Sequence, residues 1–159
     1  MTSSLRHGLL IAILVIVFDQ ITKWIALDGL DFGQNPIAVT PFFNLVLVWN
    51  RGVSFGMFNN AGDAGPWILS GLAIAIVIGL LYWLRQAEGR MIISALGLVI
   101  GGALGNVIDR FRFGAVVDFL DFHIAGYHWP AFNVADAAIC VGAALLLLDG
   151  LLSPERRTT

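Results

Sequence analysis

Residues 91–108 read MIISALGLVIGGALGNVI. The run holds no formal charge, and a bilayer core of about 30 Å needs roughly 20 mainly apolar residues in one helix. Three more stretches are mainly apolar over a similar length, at about 9–27, 66–84 and 132–152. The whole chain follows suit: of its 159 residues 58% are hydrophobic and 13% charged, against roughly 25% charged in a soluble domain. Mean hydropathy is +0.83. So little polar surface cannot wrap a core in water, which leaves lipid as the main solvent. A net charge of -2 offers no basic field for nucleic acid. The single cysteine, Cys140, excludes a disulfide framework and a Cys-rich metal site.

The expected architecture is an all-α membrane protein of four transmembrane helices, one domain over residues 1–159. The small residues Gly101, Gly102, Gly105, Gly142, Ala143 and Ala144 suit close helix packing. Cys140, inside the fourth span, reads as a small core residue. Arg6, Arg85, Arg90, Arg156 and Arg157 flank the spans on one side; Arg51, Arg110 and Arg112 lie in two longer loops on the other. By the positive-inside rule both termini face the cytoplasm, and loops 28–65 and 109–131 face outward. The N-terminal run carries Asp19 and Lys23 and no small-x-small cleavage site, so it reads as a retained helix rather than a removed signal.

Within the first outer loop, FNLVLVW (43–49) is rich in β-formers and bounded by turn residues, the pattern of a strand. VSFGMF (53–58) suits a second strand or a short amphipathic element. Aromatic residues crowd this loop and 123–129, as expected at a lipid interface. A small sheet on the outer leaflet follows.

Ionisable groups inside a span are costly and are functional candidates by default. Asp19 and Lys23 lie one helical turn apart and can pair; a structural pin and a chemical role are equally open to them. Asn106 and Asp109 share a face at the end of the third span, with Arg110 beside them. Asn106 is enclosed by apolar residues, so its amide needs a partner in the bundle. Asp118, in VVDFL (116–120), and Asp136, in FNVADA (132–137), are acids in apolar settings. Two carboxyls sharing a site split their pKa values, so that one keeps a proton. Such a pair can activate water with one member and protonate a carbonyl oxygen with the other. Antiparallel spans bring Asn106, Asp109, Asp118, Asn133 and Asp136 to one depth, with Asp19 and Lys23 aimed at the same level. That convergence describes a site.

Five stretches together resemble the lipoprotein (type II) signal peptidases of bacteria: FDQITK (18–23), NRGVSFG (50–56), GGALGNVIDR (101–110), VVDF (116–119) and FNVAD (132–136). They stand in that family's order and spacing and cover essentially the whole chain. The resemblance implies a four-span inner-membrane aspartyl peptidase with a small periplasmic sheet, the cradle, that holds substrate. It places the catalytic pair at Asp118 and Asp136; spacing alone does not choose Asp118 over Asp109 or Asp121. Asp19, Lys23, Asn50, Gly52, Asn106, Asp109, Arg110, Asn133 and Ala135 fall on its other signature positions, as supports or substrate contacts. Arg110 suits an acid or a lipid phosphate.

The implied reaction removes the signal peptide from a diacylglyceryl-modified prolipoprotein, cutting before the lipidated cysteine. No cofactor and no metal is expected, since His7 is cytoplasmic and His123 with His128 makes no ligand set. The expected partners are that substrate and membrane lipid, not nucleic acid, and nothing demands more than a monomer. The alternative is a small proton-coupled transporter, which would place its key acid near the midplane and often carry repeats. A non-catalytic scaffold would leave two costly buried acids without a task.

Overall fold

The computed structural model describes residues 3–28, 36–52 and 64–152. Four helices dominate: α1 (Ser3–Asp28), α2 (Gly65–Gln86), α3 (Arg90–Phe113) and α4 (Val134–Leu152). Each is long and apolar enough to cross a membrane. Their outer faces show large apolar side chains such as Leu14, Trp24, Ile68, Ile78, Leu147 and Leu151, the surface a lipid solvent requires. The central helix is α3, which packs on α1, α2 and α4.

Glycine lets α3 approach its neighbours this closely. A methyl at Gly97 would stand 2.6 Å from the Gly8 carbonyl oxygen, and one at Gly101 2.7 Å from that of Ala12. Gly102 meets the Ala135 carbonyl and Gly142 that of Ala95 in the same way. Ala12, Val77, Leu84, Ile93, Leu96 and Ile100 fill the core toward the opposite end of the bundle. Three expectations need correction. Ala143 and Ala144 face outward, because the buried stripe of α4 runs through Ala135, Ala138 and Gly142. Cys140 is likewise exposed on the outside of α4 rather than buried in the core.

The third helix also runs further than the apolar run predicts. It continues to Phe113, so Asp109 and Arg110 belong to its last turns and not to a loop. Gly114 ends it in the left-handed conformation (φ 68°), with its N–H donating to the Arg110 carbonyl at 3.0 Å. This is the usual glycine stop of a helix.

Beside the bundle lies a four-stranded antiparallel sheet in the order β1 (Ile37–Thr40), β2 (Phe43–Asn50), β3 (Val116–Ile124), β4 (Tyr127–His128). Strand β2 is where the sequence places it; the 53–58 segment lies outside the described residues. Residues 116–124, read as loop, form a strand whose partner stands far back in the chain. Pairing sets Asn44 opposite Asp121, Val48 opposite Asp118 and Asn50 opposite Val116, with a bulge between Leu45 and Val48. The β3–β4 turn uses Ala125 (φ 49°) and Gly126 (φ 84°), both left-handed, as a two-residue hairpin of type I′ geometry requires. Finally, Phe119 and Leu120 donate their N–H groups to the Phe132 carbonyl at 3.1 and 2.9 Å, and Phe132 N–H returns to Leu120 at 3.1 Å. These bonds tie β3 to the residue just before Asn133, and so hold Asp118 beside the start of α4.

Candidate active site

Helix α4 begins with a reciprocal cap. Asn133 Oδ1 accepts the Asp136 N–H at 2.9 Å, and Asp136 Oδ2 accepts the Asn133 N–H at 3.3 Å. The Asn133 carbonyl takes the Ala137 N–H at 3.1 Å, the first bond of the helix. Two orphan N–H groups are thereby satisfied by side chains three residues apart, the logic of a capping box with Asn and Asp in its two places. Asp136 keeps Oδ1 free of the cap, and Asn106 Nδ2 donates to it at 2.7 Å.

Asn133 also reaches across to β3. Its Nδ2 donates to Asp118 Oδ1 at 2.7 Å, and at longer range to Asn106 Oδ1 (3.2 Å) and the Val117 carbonyl (3.3 Å). The other Asp118 oxygen accepts Asn50 Nδ2 at 3.0 Å. Asn50 is held in turn by the Gly52 N–H, which donates to its Oδ1 at 3.1 Å. Asp118 is only 1% exposed. Burial pushes its carboxyl up to about 7, and the charge of Asp136 adds to this; hydrogen bonds from Asn50 and Asn133 and the charge of Lys23 oppose it. Asp118 and Asp136 are thus electrostatically coupled, with one asparagine bonded to both.

Beneath the pair sits a buried charge cluster. Lys23 Nζ lies 2.9 Å from Asp19 Oδ2 and 2.8 Å from Asp109 Oδ2, and donates to Asn106 Oδ1 at 3.1 Å. Asn106 accepts from Lys23 and Asn133 with its oxygen, which turns its amide nitrogen toward Asp136. Asp19 Oδ1 accepts the Ala135 N–H at 2.9 Å, so the first helix caps the fourth. Asp109 Oδ2 accepts the Val117 N–H at 3.1 Å, fixing the backbone just before Asp118. The Asp19 and Lys23 side chains are both engaged with neighbouring site elements. Gly105 admits this cluster: a methyl there would stand 2.7 Å from Asp19 Oδ2.

Asp118, Asp136, Asp19, Lys23, Asn50, Gly52, Asn106, Asp109, Asn133 and the backbone of Ala135 therefore join one hydrogen-bonded network. Arg110 stands apart in kind. It is within the fields of Asp136, Asp109 and Asp118, yet its buried Nε has no hydrogen-bond partner among the described residues. Gln20, which the sequence reading leaves outside the candidates, belongs to the network: its Nε2 donates to Asp109 Oδ1 at 2.9 Å. The signal was available, since an amide in an apolar span needs a partner just as Asn106 does.

Asp121, the third acid near the site, is otherwise engaged. Asn44 Nδ2 donates to its Oδ2 at 2.8 Å and His128 Nδ1 to its Oδ1 at 2.8 Å. Burial works to raise its pKa, but these bonds and the neighbouring imidazoles outweigh it and hold the carboxyl below its ordinary value. A cavity of about 440 Å³ on the outside of α4 has Asp136 in its wall, with Trp129, Pro130, Ala131, Phe132, Ala137, Ile139 and Cys140 as its mostly apolar lining. Of the two acids, Asp136 alone lines it.

Comparison with known proteins identifies the family. Residues 11–152 match the family described as signal peptidase (SPase) II. The lipoprotein signal peptidase of Methylobacterium radiotolerans is 48% identical over 157 residues, covering 96% of this chain and 89% of that protein. That of Paraburkholderia phymatum is 48% identical over 149 residues, covering 93% and 89%. Two solved bacterial membrane enzyme structures superpose with TM-scores of 0.82 and 0.78 at 32% and 33% identity, covering 95% and 96% of this chain and 91% and 94% of theirs. Four spans, a small sheet at one end of the bundle and this match over nearly the full length lead to one conclusion: the chain is a multi-pass bacterial membrane protein that belongs to the signal peptidase II family.

Proposed function

We propose that this chain is an aspartyl peptidase that removes the signal peptide from diacylglyceryl-modified prolipoproteins, cutting before the lipidated cysteine, with Asp118 and Asp136 as its catalytic pair. The family supports the substrate class. The observation that carries the mechanism is the joint hold of Asn133 on both carboxyls, together with an Asp118 pushed up to about 7. Near neutral pH Asp118 can therefore hold a proton beside Asp136.

The ionised member takes a proton from water, and the resulting hydroxide forms a C–O bond to the scissile carbonyl carbon. The protonated member gives its proton to the carbonyl oxygen, producing a neutral gem-diol. The member that took the proton from water then gives it to the amide nitrogen, while the other takes a proton from a gem-diol hydroxyl; the carbonyl re-forms, the C–N bond breaks and the pair regains its starting protonation. This leaves a carboxylic acid on the signal peptide, which ionises in water, and a free amine on the lipidated cysteine. No covalent enzyme intermediate forms. Arg110, with its unengaged Nε–H, supplies a donor for a substrate carbonyl beside the pair. Asn50, Gly52 and Asn106 hold the two acids in place.

The supporting residues sit where α1 and α3 end and α4 begins. With Arg6, Arg85, Arg90, Arg156 and Arg157 closely flanking the other ends of the spans, the positive-inside rule assigns this end to the periplasmic face and both termini to the cytoplasm. The apolar cavity beside Asp136 suits a substrate that arrives laterally from the bilayer with its lipid attached. One peptidase domain acting as a monomer, in contact with membrane lipid, suffices for this chemistry.

The test is purified protein in detergent with a lipidated prolipoprotein, read by gel shift. Wild type cleaves, and treatment with a chelator leaves cleavage intact. Asp118→Asn and Asp136→Asn each abolish turnover in a protein that still folds. Full activity in either variant refutes the pair as assigned.

A further inference from the structure

We propose that Gln20 is a positioning residue for this reaction, its amide locking Asp109 so that the second Asp109 oxygen holds the Val117 backbone and thereby sets Asp118. This rests on the catalytic assignment above. Gln20 lies on α1 next to Asp19. Its Nε2 donates to Asp109 Oδ1 at 2.9 Å and faces the Gly105 carbonyl and Asp19 Oδ2, each at 3.3 Å. Its Oε1 accepts Arg112 Nη1 at 3.3 Å. The amide has one workable orientation: a flip would turn its oxygen onto three acceptors and its nitrogen onto a guanidinium.

Asp109 is 1% exposed, so each of its oxygens needs a donor. Oδ1 has Gln20; Oδ2 has Lys23 and the Val117 N–H at 3.1 Å. Without Gln20 the carboxylate can rotate to share Lys23 between its oxygens, which releases Val117. The Val117 carbonyl already faces Asn133 Nδ2. Both polar groups of Val117, the residue leading into Asp118, are therefore held by site side chains, and Gln20 secures one of the two grips.

A neutral amide is the residue type this place allows. The charged groups facing it are Asp19 on its own helix and Asp109 and Arg112 on α3, with Lys23 reaching the same two carboxylates. Asp19, Asp109 and Lys23 already sum to one negative charge. An acid would add repulsion, and an ammonium would compete with Lys23 for both of its partners.

The test uses full-length protein in the prolipoprotein cleavage assay. Gln20→Met keeps length and volume but removes the donor; kcat falls about tenfold with KM within twofold of wild type. Gln20→Glu is slower still at pH 8, where its carboxylate opposes Asp109. As pH falls toward 5 the protonated acid regains a donor, so its kcat relative to wild type rises. Arg112→Met, at an exposed position, frees the amide to flip; it lowers kcat severalfold alone and adds nothing in the Gln20→Met background. Variants that lose thermal stability while kcat holds at the wild-type value, or a Gln20→Glu deficit that does not vary with pH, overturn the proposal. Asp118→Asn run alongside separates the two claims. If it is inactive while Gln20→Met and Arg112→Met match wild type, only the role of Gln20 fails; if it cleaves, the catalytic assignment itself fails.

Discussion

Asn133 and Asp136 cap each other across the first turn of α4, the amide oxygen taking one backbone N–H and the carboxylate the other. The bond that starts the helix also sets the direction of a proposed catalytic acid. Asn133→Ala removes the cap, which is worth about 0.5–2 kcal/mol, and leaves a buried Asp118 oxygen without its donor. Its melting temperature in detergent falls. Its kcat falls about a hundredfold, because an acid that can turn no longer meets water and carbonyl together. Wild-type kcat in a folded Asn133→Ala protein would deny Asn133 that role.

A raised carboxyl pKa fixes the sign of a stability change. Asp118 in the folded protein titrates near 7 against 3.8 for an ordinary aspartate, so it favours the fold fully below pH 4. That contribution is lost as pH rises from about 4 to 7. Asp118→Asn cannot ionise, and it loses activity yet gains stability over wild type across this window, by at most about 4 kcal/mol. The gain is smaller in practice, since the substituted amide would turn its own N–H group toward one of the two asparagine donors. Melting temperatures of both proteins from pH 4 to 8 should diverge upward and level off above 7; parallel curves would contradict the shifted pKa.

Gly105 and Gly79 should respond to alanine in opposite ways. At Gly105 the new methyl meets Asp19 Oδ2, the atom bound to Lys23, so the cluster must move apart. Overpacking of this kind costs about 1–3 kcal/mol, and activity falls with it. At Gly79, in the interior of α2, a methyl meets nothing within 4 Å. Gly79→Ala gains about 0.5–1 kcal/mol from helix propensity and leaves cleavage unchanged. Thermal melts and initial rates of the two variants check both signs.

Ala125 holds a left-handed conformation that glycine or asparagine adopts at less cost. Ala125→Gly relieves strain of about 1 kcal/mol in the β3–β4 turn, against a smaller loss from the freer unfolded chain. The hairpin that presents His128 to Asp121 should exchange its amide hydrogens more slowly in the variant. Faster exchange would show that the turn is not the strained element.

The spans were legible because a mainly apolar run of that length has few other solutions. Their ends were less so: the apolar signal in the third span stops at Ile108, whereas the helix stops at Gly114, a residue whose backbone freedom marked the true end. Strand β2 showed itself by β-branched residues between turns. Strand β3 did not, because Asp118 and Asp121 interrupt it and its pairing with β2 is a contact between distant parts of the chain. Local pattern cannot report such a partner. The same distance hid the difference between the two acids. Asp118 meets Asn50, Asn133 and the charge of Asp136, while Asp121 meets Asn44 and His128. Composition around each residue was similar, and only the family resemblance separated them.

The central claim is that Asp118, beside Asp136, keeps its proton up to about pH 7. Infrared titration of the carboxyl band in protein labelled at aspartate measures this directly. The account predicts one carboxylic acid that deprotonates near pH 7, is lost in Asp118→Asn, and shifts to lower pH in Asp136→Asn, where the neighbouring charge is gone. A wild-type protein with no aspartic proton titrating between pH 5 and 8, or a band unchanged in both variants, would contradict it.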